Sequence, residues 1–113
     1  MSPARTRSED PGPDPVNEVR LVGRQSGQPL VRVMPSGDEA VIFRLVVPRE
    51  GSTAPVDVID CIAWRGDLRR RAVRGEAGTW WEVRGSLRRR FWRAAGGPAS
   101  RTEIEVAALR RAG

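Results

Sequence analysis

The segment GTWWEVRGSLRRRFW, residues 78–92, constrains the fold of this chain more than any other. In a β-strand, successive side chains point to opposite faces of the sheet. With this period of two, an apolar face is expected to point inward, and it consists of Trp81, Val83, Gly85, Leu87 and Phe91. The opposite face is polar and basic, and it consists of Trp80, Glu82, Arg84, Ser86, Arg88, Arg90 and Trp92. A helix would scatter the arginines around its axis and would place Gly85 in the middle of the helix, where glycine is unfavourable. The segment therefore predicts a long strand.

Four further strands and one short helix are predicted around it. The segments VNEVRLVGR, AVIFRLVV, VDVIDCIAW and RTEIEVAAL are rich in β-branched residues and predict strands, with PLVRV as a separate short extended piece. The only plausible helix runs from Leu68 to Arg74, and Gly75 ends it. Five strands with one helix after the third are typical of an OB barrel, although periodicity alone leaves other small barrels and sandwiches open.

The composition limits the chain to one small domain without a recognisable catalytic centre. Residues 1–15 carry four prolines and five charges and predict a disordered leader. The single cysteine, Cys61, excludes an internal disulfide and is expected to be buried, and the absence of histidine excludes a His-dependent catalytic triad. No segment approaches the roughly 18 apolar residues that a membrane helix needs. We therefore expect a cytoplasmic protein that is not an enzyme and has no cofactor and no metal site.

Positive charge is concentrated in one part of the chain. All 20 basic residues are arginines, and residues 64–93 hold ten of them against three acids. Guanidinium groups bind phosphates, and an exposed indole stacks on bases, so the basic strand face indicates single-stranded nucleic acid as ligand. We call its key residues, Arg84, Arg88, Arg90 and Trp92, the arginine ribbon. The helix arginines, 69–71 and 74, are expected to be solvated, and Trp80 fits either packing or ligand contact.

The order of the segments resembles the bacterial single-stranded DNA-binding protein family. The matching stretches are VNEVRLVG, VRVMPSG, FRLVV, AWRGDL and VRGSLRRRFW, followed by a Gly-rich turn and RTEIEV. The resemblance implies an all-β, five-stranded OB-fold barrel over residues 16–110, with one short α-helix between strands 3 and 4. It also implies a nucleoid-associated homo-oligomer, tetramer or dimer, that binds single-stranded DNA without sequence preference in replication, recombination or repair. By position, it places basic residues near the DNA at Arg32, Arg88 and Arg90, and stacking aromatics at Trp64 and Trp92.

Departures from the family pattern keep other functions open. Val58 stands where the family often has a stacking tryptophan, and Asp60 stands where a basic residue is common, so its carboxylate is expected to repel phosphate. The loop PREGSTAP is short, and residues 111–113 form a short end without the family's acidic tail, so we expect no tail-mediated recruitment of repair proteins. The alternatives are a diverged OB-fold assembly subunit with weak DNA binding, or a binder of single-stranded RNA.

Overall fold

The chain folds into a closed barrel in a computed structural model that describes residues 12–51 and 56–113. The strands are β1 (Val19–Val33), β2 (Glu39–Pro48), β3 (Val56–Ala63), β4 (Trp80–Ala94) and β5 (Gly97–Arg111), and the helix α1 (Gly66–Val73) lies between β3 and β4. The barrel closes in the order β1-β2-β3-β5-β4, parallel between β3 and β5 and antiparallel at the other seams. The predicted five-stranded OB-fold barrel with its helix after the third strand is confirmed.

The first strand is longer than the sequence pattern indicated. The two extended pieces VNEVRLVGR and PLVRV belong to one strand, β1, which pairs with β2 on both sides of an irregularity between Ser26 and Leu30. Gly27 adopts a left-handed conformation there, with φ of 75°. A bulge of this kind interrupts the alternation of side chains without ending the strand, so the sequence pattern breaks where the strand does not.

Two aromatic rings and one buried side-chain amide pack inside the barrel. Phe43 and Trp81 are buried and their ring centroids lie 6.3 Å apart. The Trp81 indole Nε1 donates a hydrogen bond of 2.9 Å to Oε1 of Gln25, whose own nitrogen donates to a backbone carbonyl. These buried polar groups are therefore satisfied. Cys61 lies in the same core, as predicted, and burial, with a smaller effect of the Asp60 carboxylate, raises the pKa of its thiol to about 12.

The strand β4 begins inside the barrel and ends outside it. Trp81 and Val83 are buried as predicted, and the register with β5 shifts at Arg84 and Gly85. A Cβ on Gly85 would lie 2.0 Å from the carbonyl oxygen of Glu105, so the absence of a side chain lets the two strands approach closely. Beyond Gly85, β4 and β5 stay paired up to the turn at residues 95–96. We call this two-stranded extension the arm.

The prediction that Leu87 and Phe91 are buried was wrong. Their side chains are 50% and 72% exposed. The reason is that β1 pairs with β4 only as far as Val19, which lies opposite Gly85, so the barrel does not cover this face of the arm. The period of two places both side chains correctly on the face opposite Arg88, but it does not indicate how far along β4 the rest of the barrel covers that face.

Some expectations fall on residues that the structure describes only in part. Residues 12–15 of the predicted leader are exposed and lack regular structure, whereas residues 1–11 lie outside the described part, as do residues 52–55 of the loop PREGSTAP. Within the described ranges, no helix is long and apolar enough to cross a membrane. In the same ranges, no three Cys, His, Asp or Glu side chains are grouped so that they could hold a metal ion.

Candidate nucleic-acid interface

One patch on the outer surface of the barrel brings together Arg32, Trp64 and Arg90. A small apolar cluster on the outer face of β2 and β3 supports it, formed by Ala40, Ile42 and Ile62 with Met34 and Trp64 packed against them. The Arg90 guanidinium carbon lies 4.9 Å from the centroid of the Trp64 ring, within cation–π distance. Arg32 lies exposed on β1, directly opposite Ala40, and therefore points to the same face.

The Trp64 ring is a restricted stacking surface. Its side chain is half-buried, because one part packs on the apolar cluster and another lies under the Arg90 guanidinium. A guanidinium is planar and stacks on flat rings. Arg90 and Trp64 together therefore present a flat cationic surface, rather than an open indole, to a ligand on this face.

Trp92 offers a more open aromatic surface on the arm. Trp92 is 47% exposed and lies opposite the small residue Ala99 on β5. As the period of two predicts, Trp92 shares its strand face with Arg88 and Arg90. This end of the arm therefore combines an accessible indole with two guanidinium groups.

Each ribbon arginine is paired with a carboxylate, which the sequence reasoning missed. The ion pairs are Arg84 with Glu82 at 3.3 Å, Arg88 with Glu105 at 3.1 Å, and Arg90 with Glu103 at 2.6 Å. The signal for two of them was present in the sequence. A turn at residues 95–96 sets a register in which Arg88 lies opposite Glu103, and the period of two then puts Glu105 on the same face.

The burial of the two β5 carboxylates separates the roles of Arg88 and Arg90. Glu105 is 44% exposed, and a pair of this kind contributes about 0–1 kcal/mol, so a phosphate can replace it. Glu103 is only 3% exposed, and it would be left buried and unpaired if Arg90 turned away. Arg88 is therefore available to a ligand, whereas Arg90 is held in place.

Arg84 lies apart from the rest of the ribbon, in a cluster around Glu82. Four residues of strand, about 13 Å, separate it from Arg88. Glu82 is on the outer face but only 5% exposed, because Arg20 and Arg110 cover it with nitrogen–oxygen distances of 2.6 Å. Hydrogen bonds from Arg20, the larger effect, and from Arg110 lower the pKa of this carboxyl to about 2. Since two arginines already satisfy Glu82, Arg84 can contact another anion.

Asp60 carries less repulsive charge than its sequence position implied. Its Oδ1 accepts a hydrogen bond of 3.1 Å from Nε of Arg44, which lies directly opposite on β2. The pair is close to neutral, so the expected repulsion of phosphate is offset by a residue that the sequence reasoning did not consider. Val58 lies exposed on the same outer face, directly opposite Val46 on β2.

Comparison with known proteins identifies the family of the chain. No curated protein matches it. Among solved structures, it is similar to a Plasmodium falciparum SSB complex with ssDNA, with a TM-score of 0.69 and 21% identity, covering 90% of this chain and 99% of that one. This likeness shows the same fold. The model of the Single-strand binding protein family matches residues 16–111, nearly the whole described part. The chain therefore belongs to the single-strand binding protein family.

Proposed function

We propose that the chain binds single-stranded DNA, without sequence preference and without catalysing a reaction, along the outer face of the barrel and arm. Single-stranded DNA binding is the function of its family. The observation that carries the proposed site is the exposed Trp92 on the same strand face as Arg88 and Arg90. A ligand that suits this face has both phosphates and unpaired bases. Coating of single strands at the nucleoid in replication, recombination or repair fits such binding.

The phosphates are bound by arginines that can leave their carboxylates at low cost. Arg88 exchanges the exposed Glu105 for a phosphate, and Arg84 leaves a Glu82 that two other arginines still hold. Arg32 adds a guanidinium at the β1 side of the patch. Because each phosphate contact releases a counterion, the affinity falls as the salt concentration rises.

The bases stack on two different surfaces. Trp92 stacks through its open indole ring, and such a stack contributes about 1–3 kcal/mol per base. The second surface is the Arg90 guanidinium over Trp64, which Glu103 holds in position. Every base has a flat face, so neither surface selects a sequence.

The proposal includes association of several copies into a dimer or tetramer. Leu87 and Phe91 are exposed on the face of the arm opposite the ribbon, and Val31 and Val33 are exposed at the end of β1. Exposed apolar side chains that share a strand face, as the two of each pair do, support contact with another protein surface. Sedimentation of the free protein is expected to give a mass of two or four chains, and a single-chain mass would contradict this part of the proposal.

A fluorescence titration with oligo-dT tests the DNA site. Binding is expected to quench the tryptophan emission, and Trp92→Ala should weaken binding by about 5- to 150-fold, the equivalent of one lost base stack. Trp92→Phe is the matched control, because it keeps a flat aromatic ring at the same position and should weaken binding far less. Equal effects of the two variants, or no binding by the unaltered protein at low salt, would contradict the proposal. A matched RNA oligomer in competition tests the alternative ligand.

A further inference from the structure

A second group of arginines lies at the helix end of the barrel, away from Trp92. A cleft of about 470 Å³ there is lined by Asp67, Arg70, Arg71, Arg74, Trp81, Arg110 and Arg111. We call it the helix cleft. It adjoins a cleft of about 440 Å³ that shares Asp67, Arg71 and Arg110 with it and also includes Arg65 and Arg84. Five guanidinium groups and one carboxylate in the helix cleft make its surface strongly positive.

The charges of the helix cleft are not neutralised as those of the ribbon are. Its one acid, Asp67, is held by Arg65 through two hydrogen bonds of 3.2 and 2.8 Å, and Arg110 is paired with Glu82. Within residues 12–51 and 56–113, no carboxylate lies at ion-pair distance from the remaining four arginines, Arg70, Arg71, Arg74 and Arg111. Within these described residues, the positive charge of the four guanidiniums is therefore not neutralised by a carboxylate.

Two of these guanidiniums are held in place by neutral groups. Nη1 of Arg71 donates a hydrogen bond of 2.6 Å to the backbone carbonyl of Leu109, and the Arg111 guanidinium lies 5.5 Å from the centroid of the Trp81 ring. Neither contact cancels the positive charge. A cation that is already ordered loses less conformational freedom when it binds an anion, so this arrangement favours binding.

We propose that the helix cleft is a second phosphate-binding site, which takes the backbone of the same DNA strand beyond the ribbon. This inference rests on the proposed function. Continuity supports it, because Arg84 belongs to both the ribbon and the adjoining cleft, and Arg71 and Arg110 line both clefts. Arg84 lies about 13 Å along β4 from Arg88, a distance that a few nucleotides of extended strand can span.

The lining of the helix cleft favours a phosphate backbone over an acidic peptide. Its aromatic residue, Trp81, is buried in the barrel core and offers no open ring for a base or an apolar side chain. The accessible groups are guanidiniums, which bind phosphate oxygens two at a time. A peptide would gain charge contacts here but no apolar anchor, whereas a DNA strand keeps its bases stacked elsewhere.

The test compares two oligo-dT lengths in the Arg70→Ala/Arg74→Ala variant. Both side chains are exposed, and alanine favours helix, so the fold is expected to be retained. A short oligomer of about 8 nucleotides occupies the ribbon, and one of about 30 nucleotides also reaches the cleft. For the long oligomer, the slope of log K against log salt should decrease in magnitude by about 1.4, whereas the short oligomer should bind unchanged. Arg70→Lys/Arg74→Lys, the charge-matched control, should keep the slope.

The outcomes separate the two proposals. If the unaltered protein binds neither oligomer, the proposed function fails, and the second site with it. If it binds both, and the alanine variant keeps the long-oligomer slope, the second site is overturned and the proposed function stands. If an oligoglutamate peptide binds and is lost in the variant while DNA binding is unchanged, the cleft takes acidic peptides and the proposal of a DNA site is overturned.

Discussion

Removal of the Arg90 side chain should destabilise the protein more than removal of Arg88, although the two lie two residues apart on one strand face. Arg90→Ala removes the ion-pair partner of Glu103, whose side chain is 3% exposed, and the cation above Trp64. Arg88→Ala removes the partner of Glu105, which is 44% exposed and which water can solvate. The difference between the two carboxylates determines the expected ranking.

The magnitude follows from the exposure of each pair. Breaking a buried pair by removing one partner costs about 3–5 kcal/mol, whereas an exposed pair contributes about 0–1 kcal/mol. The Arg90 side chain is 42% exposed, so water reaches one side of its pair with Glu103 and reduces the loss. We expect Arg90→Ala to lower the free energy of unfolding by about 2–3 kcal/mol, and Arg88→Ala by less than about 1 kcal/mol.

Urea unfolding followed by circular dichroism at pH 7 measures both losses. One protein concentration is used throughout, so that the proposed subunit association would affect all variants under the same conditions. The double variant Arg90→Ala/Glu103→Gln should recover much of the loss, since the buried group is then uncharged. Equal losses for Arg88→Ala and Arg90→Ala, or a double variant no more stable than Arg90→Ala, would refute the reasoning. In DNA binding, Arg88→Ala should lower the magnitude of the salt slope by about 0.7, one phosphate contact.

Three further predictions concern the barrel. The pKa of Glu82 is lowered from 4.5 to about 2, so its stabilising effect is complete above the higher value and is lost as pH falls towards the lower one. The free energies of unfolding in urea of Glu82→Gln and the unaltered protein should therefore differ at pH 7 and converge near pH 2. A difference that stays constant with pH would contradict this. Gly85→Ala should lower the midpoint of thermal unfolding markedly, because its Cβ would meet the Glu105 carbonyl, whereas Gly96→Ala, with open space around it, should change it little. The Cys61 thiol, buried and with a raised pKa, should react with a thiol reagent at pH 8 far more slowly in the native protein than in urea, and fast native labelling would argue against its burial.

The period of two in the sequence predicted the faces of β4 correctly. It placed Trp81 and Val83 in the core and put Arg88 and Trp92 together on the opposite face. It failed for Phe91, because periodicity specifies the side of a strand and not whether another strand covers that side. The period of two also failed to predict that β1 is one continuous strand. The bulge in β1 breaks the alternation of side chains without ending the pairing with β2.

The electrostatics of the candidate site depend on cross-strand register, which no single segment specifies. Read alone, RRRFWR is a row of unpaired cations, but the register with β5 places Glu103 and Glu105 among them. The same holds for Asp60, which looked repulsive in its own segment and is paired with Arg44 from the neighbouring strand. Within the described residues, Arg70, Arg71 and Arg74 near the helix have no carboxylate at ion-pair distance, whereas Arg69 is paired with Glu39. The sequence predicted all four only as a solvated surface.

The pairing of β3 with β5 has a consequence for how the barrel opens. Within the described residues this parallel seam consists of Cys61 opposite Ile104 and Ile62 opposite Glu105, whereas β4 and β5 pair from Trp81 to the tip of the arm. Local opening requires the least free energy where the fewest interactions are broken, so amide hydrogens at the β3–β5 seam should exchange with heavy water sooner than those of the β4–β5 hairpin. Because Cys61 lies on that seam, the slow labelling of its thiol reports the opening of the barrel itself.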